Sequence, residues 1–150
     1  MAKVLLIDDE IHVRSLMKYL IHWEELGLTL EGEYDNAQDA VAKMQQEPAD
    51  IVITDICMPG MDGLEMIEQI QQSNQNCRFI LISGYRDFEY AKKAIGLGVS
   101  EYIVKPINEE EINKTLRKVL TGAVKERREA AQPREVRQKR FPVLVRTGIN

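Results

Sequence analysis

Short apolar runs alternate along this chain with longer stretches of helical period. Val4-Leu5-Leu6-Ile7 is unbroken and reads as a strand, after which Val13, Leu16, Met17, Leu20 and Ile21 recur at helical spacing. Beyond Gly27, Thr29-Leu30-Glu31-Gly32-Glu33-Tyr34 is a more polar strand, suited to a sheet edge. Asn36 can cap a second helix with Ala37, Ala40, Val41 and Met44 on one face, stopped by Pro48. Ile51-Val52-Ile53-Thr54 is the third strand; Gly60 and Gly63 then bracket a turn, and Leu64, Ile67 and Ile70 mark a third helix. Phe79-Ile80-Leu81-Ile82 is the fourth strand. Asp87 opens a helix with Phe88, Ala91 and Ile95 inward, closed by Gly96 and Gly98. Tyr102-Ile103-Val104 is the fifth strand, and Asn108 caps a last helix bearing Ile112, Leu116, Val119, Leu120 and Ala123.

Five strand–helix units in succession predict an α/β fold, a parallel sheet with helices on both faces. The first, third and fourth strands are almost wholly apolar, as strands buried on both sides should be. From about residue 125 the pattern fails: the chain is charged, broken by Pro133, and offers only Phe141-Pro142-Val143-Leu144-Val145 as a short extended piece. We therefore expect a domain at 1–124 and, at 125–150, a basic linker or the truncated start of a further region. Charge divides at the same place. Residues 125–150 hold eight Lys/Arg against three Asp/Glu, a local net of +5, which leaves −9 on 1–124 within an overall −4. An acidic body argues against nucleic-acid binding by the main domain. The apolar runs fall far short of the roughly 20 residues a membrane span needs, and Met1-Ala2-Lys3 leads straight into a strand with no signal-peptide pattern. Cys57 and Cys77 form neither a disulfide framework nor a CxxC site, which suits a reduced, cytoplasmic setting.

The chemistry gathers at strand ends. If the strands are parallel, their carboxyl ends share one edge, where ligands bind in open α/β sheets. That edge receives Asp8 and Asp9, Asp55, Ser83 and Lys105. Any one of these alone reads as a solvated loop residue; four strand ends supplying compatible groups is a poor accident. Converging acids repel one another unless a hard cation joins them, and Mg²⁺ is the usual one. Asp8 and Asp9 offer oxygen ligands to it. Asp55, expected to be exposed to solvent by the turn-rich Ile56-Cys57-Met58-Pro59-Gly60-Met61-Asp62-Gly63, can act as a nucleophile toward phosphorus. Lys105 supplies a mobile positive charge and Ser83 a hydroxyl for a phosphoryl oxygen. No Gly-rich phosphate loop follows the first strand, so the phosphate is expected on Asp55 and not on a bound nucleotide.

Other residues carry plainer expectations. His12 and His22 read as surface residues on the polar face of the first helix, Met58, Met61 and Met66 as packing, Cys57 as a loop residue, and Tyr102 as a partly exposed strand aromatic.

Taken together, Asp8-Asp9-Glu10, Thr54-Asp55-Ile56 with Met58-Pro59-Gly60-Met61-Asp62-Gly63, Ser83-Gly84 and Lys105-Pro106 resemble the receiver domains of two-component response regulators, over about residues 3–122. The resemblance implies a flavodoxin-like (βα)5 doubly wound fold of strand order 2-1-3-4-5. It implies Asp55 as phosphoacceptor, a sensor histidine kinase as donor, and Mg²⁺ bound by Asp8, Asp9, Asp55 and the backbone carbonyl of Cys57. It further implies phosphoryl recognition by Ser83 and Lys105, a cis peptide before Pro106, and a switch in which Ser83 moves toward the phosphate and Tyr102 turns inward. Output, including homodimerisation, would use the helix opened by Asp87, the fifth strand and the last helix. The strings Ser83-Gly84-Tyr85-Arg86-Asp87-Phe88-Glu89-Tyr90-Ala91 and Glu101-Tyr102-Ile103-Val104-Lys105-Pro106-Ile107 narrow the likeness to YesN-like regulators, whose receiver precedes an AraC-type helix-turn-helix domain. On that likeness the output is transcription through a DNA-binding domain absent from this chain, which ends at Asn150 without room for it.

Two alternatives stay open. A phosphorelay intermediate without an effector suits the short length. An aspartate-nucleophile hydrolase also pairs Asp with Mg²⁺ on an α/β sheet, but it needs a second acid two residues after the nucleophile, where this chain has Cys57.

Overall fold

Side chains alternate across a strand, so a sheet with helices on both faces must send its apolar residues in two directions. The computed structural model describes residues 1–73, 76–84, 96 and 99–128, with side chains to residue 122. Its strands are β1 (Ala2–Ile7), β2 (Leu28–Tyr34), β3 (Ile51–Asp55), β4 (Arg78–Ser83) and β5 (Glu101–Val104). All neighbouring pairs are parallel, in the order β2-β1-β3-β4-β5, as expected. The described helices are α1 (Ile11–Leu20), α2 (Trp23–Leu26), α3 (Ala37–Gln46), α4 (Gly63–Ser73) and α5 (Glu109–Arg128). The helix expected to open at Asp87 lies outside the described residues, as do Pro133 and the segment 141–145.

Leu5, Ile7, Val52, Phe79 and Leu81 turn toward α3 and α4, where Ala40, Met44, Ile67 and Ile70 meet them. Val4, Leu6, Ile53, Ile80 and Ile82 turn the other way, against Met17 and Ile21 beside α1 and Ile112 and Leu116 of α5. Almost all of these are completely buried. β2, at the edge, buries only Leu28, which is why its sequence is polar.

Local chemistry fixes the joints. Asn36 Oδ1 accepts from the Asp39 N–H at 2.8 Å to cap α3, and Asn108 does the same for Glu111 at the start of α5. Asp62 and Glu65 cap α4 reciprocally, each carboxylate accepting from the other's N–H. Gly63 begins α4 so close to β3 that an added Cβ would collide with the Asp55 carbonyl oxygen and lie 3.0 Å from Ile56 Cα.

The register of β1 on β2 runs Val4 to Leu30 and then Leu5 to Gly32, skipping Glu31. Such a bulge reverses the alternation beyond it. Leu28 and Leu30 pack on the α1 side, whereas Tyr34 packs on the α3 side.

The structure also departs from the sequence pattern. Leu16, expected inward, is 40% exposed, because the buried stripe of α1 centres on Met17. α2, a single turn ended by Gly27 at φ +69°, was not expected. His22 therefore belongs not to the first helix but to the joint before α2.

Candidate functional site

The strand order reverses between β2-β1 and β1-β3, so the crevice beyond the carboxyl ends of β1 and β3 is where an open α/β sheet places a ligand. Asp8 follows β1, and Asp55 is the last residue of β3. With Asp9 they bring three carboxylate oxygens within 4.8 Å of one another. Lys105, directly after β5, reaches across: its Nζ lies 3.1 Å from Asp55 Oδ2 and 3.4 Å from Asp8 Oδ2. The Lys105 N–H donates to the Ser83 carbonyl at 2.8 Å, and the Lys105-Pro106 peptide is cis.

Asp55 is not exposed as its turn-rich flank suggested; it is only 6% accessible. The loop after it folds back over the strand end. Ile56 is fully buried, its carbonyl accepts from the Gly63 N–H at 2.8 Å, and Met58 packs into the core below α4. Thr54 Oγ1 donates to the Asp55 carbonyl at 2.9 Å, and the Cys57 N–H lies 3.4 Å from Asp55 Oδ1. Cys57 itself is exposed.

Burial raises the Asp8 carboxyl to about 6, helped by the neighbouring charge of Asp55 and opposed by the Glu10 N–H and by Lys105. Asp55 is raised for the same reason, burial first, with Lys105 and the Cys57 N–H opposing. Burial pulls Lys105 down, but the combined attraction of Asp55 and Asp8 more than offsets it, so its pKa rises. Asp8 and Asp55 rise because burial outweighs what Lys105 returns to them, whereas Lys105 rises because two carboxylates outweigh its own burial.

Asp8 Oδ1 accepts from the Glu10 N–H at 2.8 Å, while Asp8 Oδ2 is buried with no hydrogen-bond partner among the described residues. At 3.4 Å Lys105 attracts that oxygen without a hydrogen-bonding geometry. A buried carboxylate oxygen that accepts no hydrogen bond, beside two more carboxylates, is part of a donor set that fits a hard divalent cation such as Mg²⁺. The cluster itself has the makeup of a site for phosphoryl chemistry: oxygen donors for a cation, a carboxylate at a strand end, and a lysine between them.

The Ser83 and Tyr102 hydroxyls are hydrogen-bonded, and Ser83 Oγ also lies 3.2 Å from the Gly84 carbonyl. If Tyr102 donates to Ser83 and Ser83 to Gly84, both protons are used. Tyr102 already lies inward here, packed against the core on the α3–α4 side. Met61 and Met66 pack there too, as expected. Sequence reasoning missed Arg14 and Glu33. Arg14 Nη1 donates to the Asp8 carbonyl at 2.5 Å, and its Nε donates to Glu33 Oε1 at 2.9 Å. A basic residue flanking the buried stripe of α1 was a visible hint, but its acidic partner was hidden by the bulge in β2.

The profile of the response regulator receiver domain matches residues 4–117. The transcriptional regulatory protein YesN of Bacillus subtilis, itself uncharacterised, is 42% identical over 120 residues, spanning 80% of this chain and 33% of that protein. The transcriptional regulatory protein HptR of Staphylococcus aureus is 32% identical over 112 residues, 75% of this chain and 44% of that protein. This chain thus spans between a third and a half of these relatives. Among solved structures, the receiver domain of AraT, a response regulator from Geobacillus stearothermophilus, superposes with a TM-score of 0.80 at 31% identity, covering 84% of this chain and 98% of that one. A two-component transcriptional regulator AraC from Clostridium phytofermentans gives 0.72 at 31% identity, covering 81% and 97%. With its sheet order, its strand-end acids and lysine, and a profile match over most of its length, this chain belongs to the response regulator receiver domain family.

Proposed function

We propose that this domain accepts a phosphoryl group on Asp55 from the phosphohistidine of a sensor histidine kinase, with Mg²⁺ held by Asp8, Asp9, Asp55 and the Cys57 carbonyl. The observation that carries the proposal is the buried Asp8 Oδ2 beside Asp55, which accepts no hydrogen bond from the described residues, with Lys105 Nζ 3.4 Å from it and 3.1 Å from Asp55 Oδ2. One carboxylate oxygen of Asp55 forms the new O–P bond as the P–N bond to the donor imidazole breaks, and the imidazole leaves with the bonding pair and takes up a proton. Bound at the acids, Mg²⁺ would supply charge neutralisation at the phosphoryl oxygens. Lys105 neutralises a further oxygen, and its contact with Asp55 loosens as the phosphoryl group arrives.

Ser83 would give its hydroxyl to the phosphoryl group, and its bond to Tyr102 couples that event to β5. Phosphate shifts such an equilibrium only by its differential contacts in the two states. The output is transcriptional in this reading, as for the transcriptional regulatory proteins YesN and HptR, and would act through a DNA-binding region outside the receiver. The receiver would comprise 1–124, with 125–150 as a basic connection. Homodimerisation would use β5, α5 and the segment between β4 and β5.

Incubating the protein with Mg²⁺ and a small phosphodonor should add one phosphoryl group, seen as a single mass increment lost at alkaline pH. Asp55→Asn should abolish it. Labelling of Asp55→Asn at the wild-type rate would overturn the assignment.

A further inference from the structure

Among the described residues, Asp8 has a hydrogen-bond partner at every polar atom except one. Its N–H donates to the Tyr34 carbonyl at 3.1 Å, its carbonyl accepts from Arg14 Nη1, and its Oδ1 accepts from the Glu10 N–H. Oδ2 accepts no hydrogen bond from the described residues; it faces the acid cluster, with Lys105 Nζ 3.4 Å away. We infer that Arg14 is a positioning residue for this cluster: with Glu33 it clamps the loop after β1 to β2, so that Asp8 presents a single oxygen in a fixed place. The inference rests on the Mg²⁺ reading above and names how the chain builds that site.

The clamp has the form a guanidinium supplies and an ammonium does not. Arg14 bridges two partners in two different elements, a loop carbonyl and a strand carboxylate, and its side chain is only 12% exposed. Glu33 is itself tied at both oxygens, Oε1 to Arg14 and Oε2 to Lys18 Nζ at 2.5 Å. Those two cations, Lys18 first, hold the Glu33 carboxyl below its ordinary range, so it stays charged at neutral pH. Glu33 reaches α1 only because the register skips Glu31. Leu30 faces the α1 side, and with unbroken alternation Glu33 would turn from it, toward Lys43 of α3, the partner of Glu31. The bulge therefore sets the anchor of the loop that carries Asp8.

The sign of the effect separates the clamp from plain electrostatics. A positive charge beside a cation site repels the cation, so removing Arg14 should tighten Mg²⁺ binding if charge alone mattered. A clamp predicts the reverse. In calorimetric Mg²⁺ titrations Arg14→Met should bind about tenfold more weakly, the lower end of what loss of a ligand's supporting contact costs. Arg14→Lys, which keeps the charge but not the fork, should not restore affinity. Lys18→Met, which leaves the Arg14–Asp8 link in place, should stay within about twofold of wild type, as a half-exposed surface ion pair is worth little. A second readout needs no metal: amide exchange at Glu10, whose N–H bonds Asp8 Oδ1, should quicken in Arg14→Met and not in Lys18→Met. If Arg14→Met does not fold, Glu33→Gln, which neutralises the anchor, should show smaller changes in the same directions. Unchanged or tighter Mg²⁺ binding with unchanged Glu10 exchange would overturn the clamp, as would equal losses in Lys18→Met. A wild-type protein that fails to bind Mg²⁺ would instead sink the metal reading, and the Glu10 exchange would still decide the clamp.

Discussion

Asp8 should cost the metal-free protein stability, and replacing it with asparagine should return that stability. The side chain is fully buried, and its carboxyl is raised to about 6, against an ordinary value of 3.8. Between those values the folded chain holds a proton that the unfolded chain has released, so stability falls as pH climbs through the window. The difference of about two units corresponds to roughly 3 kcal/mol once pH exceeds both values. Asn at this position still accepts from the Glu10 N–H and carries no charge, but its amide N–H points toward Lys105, which takes back part of the gain. We expect Asp8→Asn to be more stable by about 1–3 kcal/mol at pH 7.5 without metal, a rise in Tm on the order of 3–10 °C. At pH 4 the gap should close, because wild-type Asp8 is then mostly protonated. Saturating Mg²⁺ should also close or reverse it, since a ligand at a hundredfold excess over Kd adds about 2.7 kcal/mol to the protein that binds it. Urea unfolding followed by Trp23 fluorescence, at both pH values and with and without Mg²⁺, measures all of this. A variant less stable than wild type at pH 7.5 without metal would refute the reasoning, as would a gain that persisted unchanged at pH 4.

Two further perturbations probe the frame around the site. Gly63→Ala should lower the unfolding free energy by about 1–3 kcal/mol, because the new Cβ meets backbone at Asp55 and Ile56 and only main-chain movement relieves it; urea unfolding checks the cost, and slower phosphoryl uptake checks that Asp55 moved. His22, whose Nε2 lies 2.7 Å from Glu109 Oε2 with Glu25 at 3.5 Å from its Nδ1, has its pKa raised chiefly by the Glu109 contact. That stabilisation is fully present below the unfolded value of 6.5 and lost as pH rises through the folded one, so the Tm deficit of His22→Gln should be larger at pH 6 than at pH 9.

How much of this was legible in the sequence follows from which constraints are local. β1, β3 and β4 sit between two helical layers, so both faces of each are apolar and the strands stand out as unbroken runs. Asp8 and Asp55 were visible as polar residues where such runs stop, and Lys105 as the residue after the short β5; parallel order then brings them to one edge. The strand order itself came from the family resemblance, since no strand pattern in the sequence distinguishes one parallel neighbour from another. α2 was invisible because four residues make one turn, too short for a periodic signal, and it depends on Gly27 entering the left-handed region. The burial of Asp55 was also hidden. A loop of Pro and Gly residues reads as exposed, and only the close approach of Gly63 to the β3 carboxyl end folds it over the acid.

The Arg14–Glu33 link marks where sequence reading stops for a physical reason. Alternation along 29–34 assigns Glu31 and Glu33 to the same face, and nothing in those six residues says that they part. They part because β2 inserts Glu31 opposite a β1 that has no matching residue, leaving Glu31 to Lys43 on one side and Glu33 to Arg14 and Lys18 on the other. The insertion is a property of the pair of strands, and it leaves Leu28 and Leu30 packed on the α1 side and Tyr34 on the α3 side. A residue that orients an acid through its backbone carbonyl leaves no motif, because the carbonyl is common to every residue. Its identity comes only from the geometry that aims a guanidinium at that one oxygen.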